Sequence, residues 1–224
     1  MSRGGKGYVD TLVVATGNKG KLEELRALLA GLPIEVRSAA EMLGDAPAVE
    51  EDGETFAANA TKKARQIAHA TMMLTLADDS GLEVDALAGR PGVRSARFAH
   101  ARATDAENNA ALLAALEALG DPPSSEGYPA RFRCVLALVD PYTNGGDPRT
   151  VEGVCEGIIT RAPRGSGGFG YDPLFVVGST DKTMAELADG EKNRISHRAR
   201  AFAALRPMLE KVLAERADMA ARVG

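Results

Sequence analysis

Residues 76–87 read LADDSGLEVDAL. Asp78 and Asp79 stand side by side at the end of an apolar run, Ser80 and Gly81 follow, and Glu83 and Asp85 come close behind. Like charges at this spacing repel, and removing them from water raises the cost. A divalent cation beside these carboxylates would turn their repulsion into coordination. No other feature restricts the chain as much.

Around that stretch, strand-like and helix-like segments alternate. YVDTLVVAT reads as a strand and NKGKLEELRALLAG as a helix, with Leu22, Leu25 and Leu29 at helical spacing and Gly31 near its end. PIEVRS is a short second strand, and ETFAANATKKARQIAHATM is a long Ala-rich helix. LTLA before the aspartates is a third strand and GLEVDAL after them a fourth. TDAENNAALLAALEALG opens with Thr104 and Glu107 at capping-box spacing and closes on Gly120. ARFRCVLALVD enters a core, YTNGGDPR is a hairpin loop, TVEGVCEGIITR is the returning strand and DPLFVV a further one. The last helix, SHRARAFAALRPMLEKVLAERA, contains Pro207, which should kink or divide it, since an interior proline costs about 3 kcal/mol.

Parallel βα units combined with an antiparallel hairpin give an α/β fold, a mixed sheet flanked by helices. No repeat or linker divides the chain. Residues 1–7 read as a disordered leader, 8–215 as a single domain of two lobes about a cleft, and 216–224 as a fraying C-terminal tail.

Composition excludes several classes. The 224 residues are 45 % hydrophobic and 26 % charged, and the formal net charge of −4 lacks the basic face that general nucleic-acid binding needs. No apolar run approaches the ~20 residues of a membrane span, and MSRGGKGY has no apolar stretch after its basic residues, so it is not a signal peptide. Cys134 and Cys155 lack CxxC spacing and neighbouring histidines, which fits buried, reduced thiols in a cytoplasmic protein.

Several segments suit phosphates. ATGNKGKLEE places Gly17, Asn18 and Gly20 between a strand and a helix start, where backbone amides and the helix dipole attract anions, and Lys19 and Lys21 add charge. It is not a Walker A loop, because the glycines are too close and Leu22 stands where Ser or Thr is needed; a capped helix with solvent lysines is the other reading. GSGGFGYDPLF contains a formal GxGxxG at Gly165, Gly167 and Gly170, but a strand-like run follows instead of a helix, which defeats a dinucleotide reading. Its glycines suggest backbone that approaches something closely, with Phe169 and Tyr171 as flat faces for a base or as core aromatics. EEDGETF is an acidic loop, either solvated or metal-binding. Ser196 is a good N-cap, and His197 and Arg198 in the first turn oppose the dipole, which suggests an anionic or acceptor-rich ligand. His69 and His100 have no partner pattern and read as structural or surface residues. Together, Glu51, Asp78 and Asp79 could hold Mg²⁺, a hard cation that prefers oxygen ligands, while Lys21, Lys63, Lys192 and Arg198 could neutralise phosphates.

These stretches, TGNKGKLEEL, EEDGETFAANATKKA, ADDSGLEVDALAGRPGVRSARFA, RFRCVLAL, GGFGYDPLF and SHRARA, resemble in order the inosine/xanthosine triphosphate pyrophosphatase family, from about residue 11 to 205. The resemblance implies two lobes around an elongated mixed sheet with the active site in the cleft, a homodimer, and Mg²⁺-dependent hydrolysis of ITP, dITP and XTP to monophosphate and pyrophosphate. Residues Thr16 to Lys21 (Thr16, Gly17, Asn18, Lys19, Gly20, Lys21) match the family's phosphate-binding segment. Asp79 matches the catalytic base and lies at the metal, with Asp78 beside it as a less favoured base. Glu51 resembles a metal ligand. Lys63 matches a helix lysine at the phosphates through NATKKA, and Ser80 a substrate contact. Phe169, Gly170, Tyr171 and Asp172 match the base-binding turn, and Lys192, His197 and Arg198 the remaining substrate contacts. Other readings are a Maf-type pyrophosphatase, which a substrate panel would separate, a non-catalytic nucleotide binder, and a plain structural domain in which Asp79→Asn changes only stability.

Overall fold

The computed structural model describes residues 9–44, 49–121, 127–178 and 180–223; the expected leader lies outside them. In chain order, β1 (Asp10–Ala15) leads into α1 (Lys19–Leu29), β2 (Ile34–Ser38), α2 (Ala39–Leu43), α3 (Phe56–Thr71) and β3 (Leu74–Val84). Then come α4 (Asp105–Glu117), β4 (Tyr128–Val139), β5 (Arg149–Ile159), β6 (Phe175–Val177), α5 (Asp189–Ile195) and α6 (His197–Val223). One sheet runs in the order β2-β1-β3-β4-β5-β6. β1 is parallel to β2 and β3, and the other pairs are antiparallel. This is the α/β architecture expected from the alternating pattern.

Helices cover both faces of the parallel part, which is why Leu12, Val13 and Val14 of β1 are all fully buried. α1 and α6 cover one face through Leu25, Leu29, Leu205 and Leu209. α3 covers the other through Ala60, Ala64 and Ile67, the two alanines letting the helix lie close. Farther along, Leu112 and Leu116 of α4 join Leu82, Phe132 and Phe175 in a third cluster. Local chemistry sets the helix starts. Asn18 caps α1 through Lys21 N–H, Thr55 caps α3, and Thr104 with Glu107 forms the expected capping box of α4.

Four expectations change. LTLA and GLEVDAL are not two strands: β3 runs unbroken through the aspartates, because β4 pairs with it from Thr75↔Val139 to Val84↔Ala130. DPLFVV is a strand only from Phe175, since Leu174 and Phe175 N–H both bond back to Tyr171 O in a turn. Pro207 does not divide α6; it is exposed, so the carbonyl it leaves without a partner faces water. Residues 216–223 continue α6 instead of forming a tail. Arg216 there pairs with Asp10 and with Asp140, the latter at 2.9 Å. Cys134 and Cys155 are buried and free, His69 is exposed, and His100 lies 3.3 Å from Glu107. Among the described residues no helix is long and apolar enough to cross a membrane.

Candidate active site

The topology places a crevice. From β1 the chain moves one way to β2 through α1, then returns past β1 to β3 through α3, so the strand order reverses between β1 and β3. Ligands of open α/β sheets bind at the carboxyl ends of strands at such a point. The last pair between these strands is Ala15↔Ala77, so β3 outruns β1 from Asp78 onward. Successive strand residues face opposite sides. Asp78 and Ser80 accordingly face α1 and α6, while Asp79 faces α3.

Asp78 is fully buried. Its Oδ2 lies 3.1 Å from Lys21 Nζ and 3.3 Å from Arg198 Nη2, and the Ser80 hydroxyl donates to it at 3.3 Å. Burial opposes its charge, but Lys21, Arg198 and Lys63 outweigh that and hold the carboxyl below the usual range. Its Oδ1 is buried with no hydrogen-bond partner. Arg198, 1 % exposed, also donates to Ser80 Oγ at 3.0 Å and to Glu24. Glu24 in turn pairs with Lys192 Nζ at 2.6 Å, and Lys192 with Asp172 at 2.6 Å. Signs therefore alternate along one chain of buried and half-buried groups, as burial of ions requires.

Asp79 has a different environment. Asn59 Nδ2 donates to its Oδ2 at 3.0 Å, Ser80 N–H donates to Oδ1 at 3.1 Å, and Lys63 Nζ stands 3.7 Å away. Burial, with Glu51 adding repulsion, raises its pKa against the opposing lysines. Lys63 Nζ lies 2.5 Å from Glu51 Oε1. Burial disfavours its ammonium, but Asp78, Asp79 and Glu51 outweigh that and keep it charged. The neighbouring aspartates thus differ: Asp78 is clamped by cations, whereas Asp79 has only neutral donors within hydrogen-bond distance.

On the Asp78 side, a narrow slot of about 90 Å³ is lined by residues including Lys21, Ser80, Phe169, Lys192, His197 and Arg198. Phe169 forms one wall, with Lys192 Nζ 4.7 Å from its ring centre. The ring rests on Gly20, where a Cβ would come 2.6 Å from Phe169 Cδ1. Asp172 Oδ2 accepts from Phe169 N–H at 2.9 Å, and Asp105 accepts from Gly170 N–H at 2.7 Å, so the turn is held from both sides. His197 stacks on Phe132, ring centres 4.8 Å apart, with Nδ1 unpartnered. A larger hollow of about 660 Å³, lined by Phe56, Val93 and Arg133 among others, holds none of the expected site residues.

The expected residues are thus brought together, with two differences. Tyr171 is a core residue, buried with its hydroxyl bonded to Ser95 O at 2.9 Å, and it offers an edge of the slot, not a free stacking face. Lys19 and Gly17 are exposed beside the slot. Thr16 Oγ1 accepts from Asn18 N–H at 3.2 Å, which shapes the turn before α1. Three partners went unsingled in the sequence. Glu24 lies inside TGNKGKLEEL, one turn after Lys21. Asn59 is hidden in the Ala-rich helix. Arg97 bonds Glu51 O at 2.7 Å from the distant segment GRPGVRSARFA. Helical spacing from Lys21 and Lys63 was the only available signal for the first two.

As a metal site, Glu51 and Asp79 present hard oxygen donors. No group of three or more His, Cys, Asp or Glu side chains able to hold an ion occurs among the described residues. That donor set fits Mg²⁺, which commonly binds through one or two carboxylates plus substrate phosphates, better than a protein-only cage.

Comparison with known proteins gives the family. The chain is 52 % identical over 198 residues to the dITP/XTP pyrophosphatase of Geobacter sulfurreducens, covering 88 % of this chain and 96 % of that protein. It is 46 % identical over 198 residues to the dITP/XTP pyrophosphatase of Bacillus subtilis, with the same coverage. The solved HAM1 protein of Coxiella burnetii superposes with a TM-score of 0.78 at 45 % identity, covering 92 % of this chain and all of that one. The Staphylococcus aureus Ham1 protein gives a TM-score of 0.75 at 37 % identity, covering 90 % and 98 %. The Ham1 family profile matches residues 12–208, and with relatives this similar over nearly their whole length, the chain belongs to the Ham1 family.

Proposed function

We propose that this chain is a nucleoside-triphosphate pyrophosphatase that hydrolyses dITP, ITP and XTP to monophosphate and pyrophosphate, keeping deaminated purines out of DNA and RNA. The observation that carries this reading is the unequal pair of aspartates at the strand-order reversal, beside a slot walled by an aromatic ring: Asp78 is clamped by Lys21 and Arg198, while Asp79 takes hydrogen bonds from neutral donors with Lys63 standing 3.7 Å off.

In this reading the Lys21 and Lys63 ammonium groups bind the phosphate chain, with the Thr16-to-Lys21 turn beside them. Amides of Lys19 and Gly20 take no partner among the described residues, which suits an anion at the start of α1. Asp79 accepts the proton of the attacking water, a role for which a carboxylate with a raised pKa is suited. Attack on the α-phosphorus releases pyrophosphate. Held by Glu51 and Asp79, Mg²⁺ would supply neutralisation of the phosphate oxygens. The base enters against Phe169. Arg198 and Lys192 are donors, and they match the 6-keto oxygen of hypoxanthine or xanthine. Adenine presents an amino group there, and leaving a buried donor unpaired costs about 1–3 kcal/mol. The reading includes a homodimer in the cytoplasm, a setting that the two free thiols suit; sedimentation at micromolar concentration tests the dimer.

The test is pyrophosphate release from ITP, XTP, ATP, GTP and dTTP, with Mg²⁺ and with EDTA, by the wild type and Asp79→Asn. Metal-dependent release from ITP and XTP is expected, falling at least about 10²-fold in a folded Asp79→Asn. Orthophosphate as product, or preference for another base, would overturn the assignment.

A further inference from the structure

Asn59 is 1 % exposed in α3 and makes bonds in two directions. Its Oδ1 accepts from Gly53 N–H at 2.8 Å, and its Nδ2 donates to Gly53 O at 3.3 Å and to Asp79 Oδ2 at 3.0 Å. A single amide thus grips both backbone groups of one residue in the acidic loop and one oxygen of an aspartate 20 positions away on β3. Lys63 lies one helical turn farther along α3 and reaches the same two elements, through Glu51 and Asp79. The contact is close on the loop side: a Cβ on Gly53 would stand 2.6 Å from Asn59 Oδ1.

From this geometry we propose that Asn59 is a positioning residue, tethering the acidic loop to Asp79 so that Glu51 and Asp79 keep a fixed relation during the reaction; the proposal rests on the pyrophosphatase reading above. The amide suits the task because it is neutral. It offers a donor to the carboxylate and an acceptor to the loop at once, which neither a lysine nor an aspartate can do. It touches neither the slot nor the phosphate-binding turn, so its loss is felt in the reacting geometry and not in substrate capture.

The experiment measures pyrophosphate release from dITP for wild type, Asn59→Ala, Gly53→Ala and the double variant, together with melting temperature and hydrogen exchange over residues 49–54. Misplacement of reacting groups by about 1 Å can cost ~10²-fold, so Asn59→Ala should lower kcat by about that factor with KM within about twofold. Gly53→Ala pushes the amide aside from a partly exposed position where folding is safe, and should lower kcat about tenfold. With the Asn59 amide absent the added methyl keeps only its 3.0 Å approach to Ala58 Cβ, so the double variant should be slower than Asn59→Ala by clearly less than the loss Gly53→Ala causes alone, a coupling that independent sites do not show. Faster exchange at the Gly53 amide should accompany each loss. Unchanged kcat with a lowered melting temperature, additive losses, or a rise in KM at constant kcat would each overturn the proposal. An inactive wild type would instead overturn the pyrophosphatase reading; unchanged exchange in Asn59→Ala would then still overturn the tether.

Discussion

At the residue scale, His197 is the buried group whose charge state has the clearest consequence. Burial, with repulsion from Arg198, Lys192 and Lys21, holds its pKa well below the ordinary 6.5. The folded protein keeps the ring neutral, whereas the unfolded chain takes up a proton below 6.5. The unfolded state is therefore favoured as the pH falls through that value, with a slope approaching about 1.4 kcal/mol per pH unit. Urea denaturation from about pH 7 to about pH 5 should show this loss in the wild type and its absence in His197→Gln. The two aspartates should also separate by experiment. Asp78→Ala leaves Lys21 and Arg198 without their buried partner and should cost about 3–5 kcal/mol in unfolding free energy. Asp79→Asn turns one of two accepting oxygens into an amide donor facing Asn59 Nδ2 or Ser80 N–H, so it should cost about 1–3 kcal/mol, less than Asp78→Ala, while activity is lost. The candidate residues were legible only together, because each segment alone has an ordinary structural reading and their assignment rests on motif order that resembles a known family. Their unequal environments were not, since Lys21, Asn59 and Arg198 come from three helices.

At the element scale, α6 carries His197 and Arg198 to the slot only because it lies directly on β5. Gly153 makes that approach possible: a Cβ there would collide with His197 O and Ala201 N, and would lie 2.8 Å from Ala201 Cα. Gly153→Ala should lift the start of α6, costing about 1–3 kcal/mol of stability and raising KM for the nucleotide, readable by denaturation and steady-state kinetics on one preparation. Helix starts were legible from capping residues, which act over three or four positions. The continuity of β3 was not. Two adjacent aspartates argue for a break until the pairing partner on β4 and the counter-charges from α1, α3 and α6 are in place.

At the scale of the molecule, the sheet is fastened at the end opposite the slot. Arg216, late in α6, meets Asp10 at the start of β1 and Asp140 just after β4. Asp10 and Asp140 are 5 % and 6 % exposed. Arg216→Ala strands both carboxylates and should cost about 3–5 kcal/mol, with kcat and KM of the folded enzyme unchanged, since the substitution lies a full strand length from the crevice. Apolar periodicity, capping residues and turn chemistry determined the alternating α/β class and most element positions from the sequence itself, because those signals act between near neighbours. Motif order likewise determined the chemistry that the chain is equipped for. Tertiary structure alone decided which charges meet: Arg198 pairs with Glu24 across 174 positions and Arg216 with Asp10 across 206. Such contacts depend on strand order and helix packing, and a burial cost shared among groups that distant leaves no periodic trace in the chain.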